Sequence, residues 1–306
     1  MRVAAVDLGT NTTRLLVADV DVDGGRLEEV HRETRITRLG EGVDARRRLL
    51  PVPIARVRNV LADYRRTLES LGAERTLAVA TSAIRDAENG EAFLGEIEWS
   101  YGFATRLLRG DEEALLTRRG VDPAPGTLVV DIGGGSTELI VDDFHVSLEL
   151  GSVRHTERFL HGDPPSPQEL DDCARAVRTL LTERAAVSAE RAIGVAGTVT
   201  TLAALDLGLE RYDRARVHGH RLARTAARAQ LERLAALTVA ERRALPTMEP
   251  ERAPVIVAGA VILAETLDRF GLDEIVVSEH DILDGAALAA AELPAPDEDA
   301  VPHTCC

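Results

Sequence analysis

Apolar positions along this chain change period several times, and each change marks an element. Residues 3–6 and 15–20 are apolar runs of strand length, and Asp23-Gly24-Gly25 turns the chain into a third strand starting near Arg26. Ile54, Val57, Leu61, Tyr64, Leu68 and Leu71 then recur at alternating steps of three and four. That is one face of a helix, and Gly72 sits where a C-terminal cap belongs. The pattern next predicts a buried strand over 76–81, a short helix over 92–97, a strand over 105–108 and a helix from 112 through 119. Asp122-Pro123-Ala124-Pro125-Gly126 is the strongest break and predicts a domain boundary.

Beyond the break the same order restarts: strand, turn, strand, and a third strand over 145–150. Ser166-Pro167-Gln168-Glu169 reads as a capping box with Pro at the first helical position. The helix it opens turns Leu170, Cys173, Val177, Leu180 and Leu181 inward. Residues 192–196 read as a strand, and Gly197-Thr198 opens a helix through Leu205. Thr238-Val239-Ala240-Glu241 is another capping box, 255–270 a long apolar helix ended by Gly271, and 274–278 a strand. The expected architecture is α/β, with domains at 1–122 and 126–293 facing a shared cleft. The Pro-, Asp- and Glu-rich tail, 294–306, is expected to be disordered.

The repetition extends to residue identities. Val6-Asp7-Leu8-Gly9-Thr10-Asn11-Thr12-Thr13-Arg14-Leu15-Leu16-Val17 aligns without gaps on Val130-Asp131-Ile132-Gly133-Gly134-Gly135-Ser136-Thr137-Glu138-Leu139-Ile140-Val141. A strand, a turn of small residues and a second strand also build any β-hairpin. Two copies with Asp at the same place favour a phosphate site instead. Small residues let backbone N–H groups converge on an anion, and the Asp beside them can hold a divalent cation against phosphate oxygens.

Composition narrows the class. With 306 residues, 45% hydrophobic and 28% charged, the chain can bury two sizeable cores as a globular protein. The formal net charge of -15 argues against nonspecific nucleic-acid binding. It also sets a problem for any polyanionic ligand. The sequence contains no Lys, so cationic contacts fall to Arg, His, backbone N–H or a metal. Arg46-Arg47-Arg48, Arg118-Arg119 and His218-Gly219-His220-Arg221 are candidate clusters, although such runs are often only solvated faces. No apolar stretch approaches a membrane span, and the strand pattern starts at once without a signal peptide; a cytoplasmic protein with no membrane association is expected. Cys173, Cys305 and Cys306 form no disulfide framework. Cys173 reads as an inert core residue and Cys305-Cys306 as a frayed end rather than a lipidation site.

Three further segments carry candidate chemistry. Val195-Ala196-Gly197-Thr198 ends a strand and starts a helix, a geometry that binds anions or nucleotides. Arg109-Gly110-Asp111-Glu112-Glu113-Ala114 places three acids at a helix start beside the predicted boundary. The helix dipole alone accounts for acids there, yet a carboxylate pointing into the cleft can take a proton from water. Ala80-Thr81-Ser82-Ala83-Ile84-Arg85-Asp86-Ala87 puts Arg85 just after a buried strand, positioned either for phosphate contact or for a surface salt bridge to Asp86 or Glu88.

These segments, with Leu150-Gly151-Ser152-Val153-Arg154, Arg252-Ala253 and Val277-Ser278-Glu279-His280-Asp281-Ile282-Leu283-Asp284-Gly285, occur in an order that resembles the exopolyphosphatase / guanosine pentaphosphate phosphohydrolase (Ppx/GppA) family over about residues 1–293. The resemblance is to the short actinobacterial-type form, without the HD-type helical domain of longer members. It implies the actin-like ATPase superfold: two duplicated actin-like (ribonuclease H-like) domains with a central interdomain cleft. It also implies roles. Glu113 matches the base that activates water, and Arg85 a phosphate-contacting Arg. Asp131 and Glu138 match acids near metal and phosphates, and Asp7 joins them as a metal candidate. The turns Gly9, Thr10, Asn11 and Thr12, then Gly133, Gly134, Gly135 and Ser136, and finally Gly197 with Thr198, match three phosphate loops. Asp111 stands where the family often has Glu.

The expected activity is hydrolysis of a phosphoanhydride with Mg²⁺ or another divalent cation, releasing orthophosphate from the end of inorganic polyphosphate. Guanosine pentaphosphate is the alternative substrate, disfavoured because the chain is only 3% aromatic and shows no pattern for stacking a base. Rivals of another class are an actin-like kinase or ATPase and a catalytically silent polyphosphate or nucleotide sensor. A homodimer that extends a polyanion channel is a further expectation.

Overall fold

The computed structural model describes residues 1–21 and 25–294. Of the predicted turn Asp23-Gly24-Gly25 only Gly25 is among them; residues 295–306, with Cys305-Cys306, lie outside the described residues.

The first half starts with the meander β1 (Arg2–Leu8), β2 (Thr12–Asp21) and β3 (Arg26–Ile36). Then follow α1 (Val43–Arg46), α2 (Pro51–Leu71), β4 (Arg75–Ala80), α3 (Ser82–Arg85), α4 (Gly90–Tyr101), β5 (Ala104–Leu107) and α5 (Gly110–Val121). The second half repeats the meander as β6 (Thr127–Ile132), β7 (Thr137–Val141) and β8 (Phe144–Leu148). It continues through α6 (Ser152–Phe159), α7 (Pro167–Arg184), β9 (Arg191–Val195), α8 (Ala196–Asp206), α9 (Arg214–Val217), β10 (Arg221–Ala223), α10 (Arg224–Ala235), α11 (Val239–Arg243), α12 (Ile256–Phe270), β11 (Glu274–Val277) and α13 (Ile282–Ala290). The sheet orders are β3-β2-β1-β4-β5 and β10-β11-β9-β6-β7-β8. In each, the opening strand is antiparallel to its hairpin partner and parallel to the strand that follows the first helices. Each half thus repeats one mixed α/β arrangement, and a cleft opens between the two, as expected.

Local signals act as read. The spaced residues Val57, Leu61, Tyr64 and Leu68 of α2 are buried, and Gly72 ends the helix in the left-handed conformation, φ 70°. Ser166 accepts from the Glu169 amide while Glu169 reaches back to the Ser166 amide, and Thr238 with Glu241 repeats the device. Cys173 is buried, and burial pushes its thiol up to about 12, which leaves it inert. The helix predicted over 92–97 is longer, because the polar flanks of α4 follow the Phe93, Leu94 and Ile97 anchors into the same helix.

The packing of α5 and α13 is not local. Residue Ala114 of α5 packs with Val129, Ile140 and Val195 of the second sheet. Helix α13, the last described element, packs Ile282, Leu283, Ala286 and Ala287 onto Val3, Ala5, Leu16 and Val79 of the first. Each half therefore lends one helix to the other's sheet, and the two helices meet in the middle. Gly120 and Gly285 permit the meeting. A Cβ on Gly285 would lie 1.9 Å from the Leu116 carbonyl oxygen, and one on Gly120 1.9 Å from that of Asp281.

Candidate active site

A cavity of about 450 Å³ opens between the halves. The two repeated turns form its floor and are closed by the same bond: the Gly9 amide donates to the Thr12 carbonyl and the Gly133 amide to the Ser136 carbonyl, each at 2.9 Å. They also touch one another. A Cβ on Gly134 would lie 2.9 Å from Cβ of Thr10, and one on Gly135 2.2 Å from Oγ of Ser82. Glycine at these positions is thus what allows two loops from different halves to meet back to back.

Gly9, Thr10, Asn11, Thr12, Gly133, Gly134, Gly135 and Ser136 all line the cavity, and Gly197 and Thr198 bring the third turn to it. Ala196, at the start of α8, adopts φ 66°, an uncommon conformation for a residue with a side chain. The Arg252 guanidinium lies against Gly197.

The carboxylates converge on the same space. Asp7, Glu113, Asp131 and Glu138 line it and are nearly fully buried, at 1–7% exposure. Glu113 comes from the first turn of α5; Asp131 and Glu138 are register partners on β6 and β7. Burial, then the Glu138 charge, holds the Glu113 carboxyl well above the ordinary range, against the pull of Arg85. Burial and Glu138 do the same to Asp131, and burial raises Glu138 in spite of hydrogen bonds from Ser147 and Ser136.

The repeat is broken at one informative position. In β6–β7 Asp131 faces Glu138; in β1–β2 Asp7 faces Arg14. Nε and Nη2 of Arg14 donate to Oδ2 of Asp7 at 2.9 and 2.7 Å, and Nη1 pairs with Asp281 at the start of α13. One copy of the hairpin therefore carries a neutralised acid, the other an acid pair. Oδ1 of Asp7 and Oδ1 of Asn11 are buried without a hydrogen-bond partner.

Arg85 does not line the cavity. Its Nη1 donates to the Leu108 carbonyl at 2.7 Å and to Oε2 of Glu113 at 3.2 Å, so it stands behind Glu113. The basic clusters at 46–48, 118–119 and 218–221 also lie off the cavity wall. The guanidiniums that line it are Arg14, Arg32, Arg214 and Arg252. For Arg14 a signal existed, the charge reversal at a position the repeat otherwise keeps. Arg252 sat in a noted segment without a role. Nothing local marked Arg32 or Arg214.

Each cavity guanidinium already holds a carboxylate: Arg14 Asp7 and Asp281, Arg32 Glu29 and Asp284, Arg214 Glu29 and Glu279, and Arg252 Glu249. Nine acids (Asp7, Glu29, Glu33, Glu113, Asp131, Glu138, Glu249, Glu279 and Asp281) line the space beside four arginines. A polyanion entering it needs added positive charge. Among the described residues no group of three or more His, Cys, Asp or Glu forms a ready metal cage. The donor set fits a hard cation held by one or two carboxylates, with phosphate oxygens and water completing its shell.

A profile of the Ppx/GppA phosphatase family matches residues 16–290. Exopolyphosphatase 2 of Mycobacterium tuberculosis is 44% identical over 314 residues, covering 95% of this chain and 98% of that protein. The crystal structure of an exopolyphosphatase-like protein superposes with a TM-score of 0.89 at 36% identity, over 96% of this chain and 100% of its own. The Aquifex aeolicus member of the Ppx/GppA family does so with 0.80 at 31% identity, over 95% and 98%. No helix among the described residues is long and apolar enough to cross a membrane.

Proposed function

Because the chain belongs to the Ppx/GppA phosphatase family and is an exopolyphosphatase-family hydrolase, we propose that it releases orthophosphate from the terminus of inorganic polyphosphate by in-line attack of water. The observation that carries this reading is the convergence of buried Glu113, Asp131 and Glu138 on the space above the paired turns. Amides of Thr10, Asn11, Gly134 and Gly135 hold the phosphoryl oxygens. Glu113, with its carboxyl raised toward neutrality, takes a proton from the attacking water as the new P–O bond forms and the bridging P–O bond breaks. Arg85 orients Glu113. Asp131 and Glu138 would hold a divalent cation such as Mg²⁺, which would neutralise phosphate charge; Asp7, already paired with Arg14, would at most supplement them.

Guanosine pentaphosphate is the second reading. Tyr212, Arg214, Glu249 and Glu279 line the outer cavity and offer an aromatic face and carboxylates to a purine. The test is orthophosphate release from long and short polyphosphate, guanosine pentaphosphate and ATP with Mg²⁺. Release from polyphosphate that falls on the order of 10²–10⁴-fold in Glu113→Gln supports the proposal. Release only from the guanosine compound selects the second reading, and near-normal turnover by Glu113→Gln moves the base elsewhere.

A further inference from the structure

We propose that Arg154 is a positioning residue whose guanidinium ties the second phosphate turn to α3, the short helix that presents Arg85, so that closure of the two halves and assembly of the site are one event. Arg154 belongs to α6, is 7% exposed, and has no part in the chemistry above. Its three nitrogens reach three segments. Nε donates to the Gly135 carbonyl at 2.8 Å, Nη1 pairs with Asp44 of α1, and Nη2 donates to Oδ2 of Asp86 at 2.5 Å. Asp86 follows Arg85 directly and caps α3.

The links form a ring. Gly135 abuts Ser82, the first residue of α3, whose Oγ shares a 2.8 Å hydrogen bond with Oγ1 of Thr10. α3 ends at Arg85, which meets Glu113. Arg154 closes the circuit from Asp86 back to Gly135. The amides of Val153 and Arg154 donate to the Gly134 carbonyl at 2.9 and 3.2 Å, so the same helix grips the turn twice. Arg158 joins from the next turn of α6, with bonds to Asp44 at 2.5 and 2.6 Å, and Glu157 accepts from the Gly42 amide at 3.0 Å. The planar guanidinium meets each of the three acceptors with a different nitrogen of one rigid fork, whereas a lysine ammonium offers a single nitrogen on a flexible stem. Arg154 therefore acts through Gly135 and Asp86 and touches no reacting atom.

The catalytic consequence rests on the hydrolase reading; the mechanical one does not. The experiment measures kcat and KM for orthophosphate release, and amide hydrogen exchange over residues 80–88 and 130–138 without substrate. Wild type, Arg154→Lys, Arg154→Met, Asp86→Asn and the Arg154→Met/Asp86→Asn double variant are compared. A displaced catalytic group costs on the order of 100-fold, so Arg154→Met is expected to lower kcat about that much with KM changed less than about threefold. Exchange should rise in both segments together, Arg154→Lys should fail to rescue, and the double variant should be no worse than Arg154→Met. A rise in KM at constant kcat, additive losses, rescue by Lys, or faster exchange confined to α6 overturns the proposal. If Arg154→Met does not fold, Arg154→Lys and Asp86→Asn carry the test. If wild type releases no phosphate, the hydrolase reading fails, and joint or separate loosening of the two segments alone decides for or against the tie.

Discussion

Three successive acids at 111–113 meet three different fates. Asp111 pairs at the surface with Arg109, Glu112 accepts from the Arg109 amide at the helix start, and Glu113 turns inward. A helix-terminus explanation covers the first two and fails for the third. The sequence held all three; only the docking of α5 onto the second sheet separates them. The raised Glu113 carboxyl has a kinetic consequence. A base must be ionised, so kcat/KM should rise with pH along a limb above the ordinary carboxylate range. Arg85 pulls that carboxyl down, so Arg85→Met should move the limb to higher pH. A limb at an ordinary Glu value, or one unmoved in Arg85→Met, would count against Glu113 as the base.

At the scale of elements, α2, α7 and α12 were legible because each buries one stripe or is apolar with clear caps. Helix α13 was not: at 282–290 it is apolar on most sides, since one side meets the first sheet and the other α5, so no helical period shows. The strands of the repeat were legible from runs and turns, whereas β10 is three residues long and takes its place from pairing with β11. Because Leu283 is fully buried on the first sheet, Leu283→Ala should cost about 2–5 kcal/mol in denaturant unfolding. Leu115, on the exposed side of α5, should change stability by no more than about 0.5 kcal/mol when replaced by Ala. Equal effects would refute the reciprocal docking.

For the molecule as a whole, the site is electrostatically costly. Glu113, Asp131 and Glu138 bind protons more tightly folded than unfolded, so their contribution to stability falls as pH rises from the ordinary carboxylate range through their raised values. His155 works the other way: burial lowers it to about 4, so stability is lost as pH falls from the unfolded value of 6.5 toward 4. Comparison of variants at equal pH separates the two. Without divalent cations, Asp131→Asn should raise the melting temperature at neutral pH and lose that advantage in acid. Mg²⁺ should stabilise wild type most at neutral pH, through mass action on ionised carboxylates. A lower melting temperature for Asp131→Asn at pH 7 would show that the acid cluster is not a source of repulsion.

The sequence by itself determined the α/β class, the duplicated hairpins, the helix caps and the small residues that line the cleft. Each of these depends on neighbours a few residues away or on a repeat visible in one dimension. Tertiary structure alone decided which of the 36 arginines meet the cleft, that Arg85 stands behind Glu113, and that α5 and α13 change sheets. A charged side chain carries no periodicity that reports its partner; its surroundings come from segments far away in the chain, here Arg14 with Asp281 and Arg154 with Asp44, and long-range contact exists only once the sheets have packed.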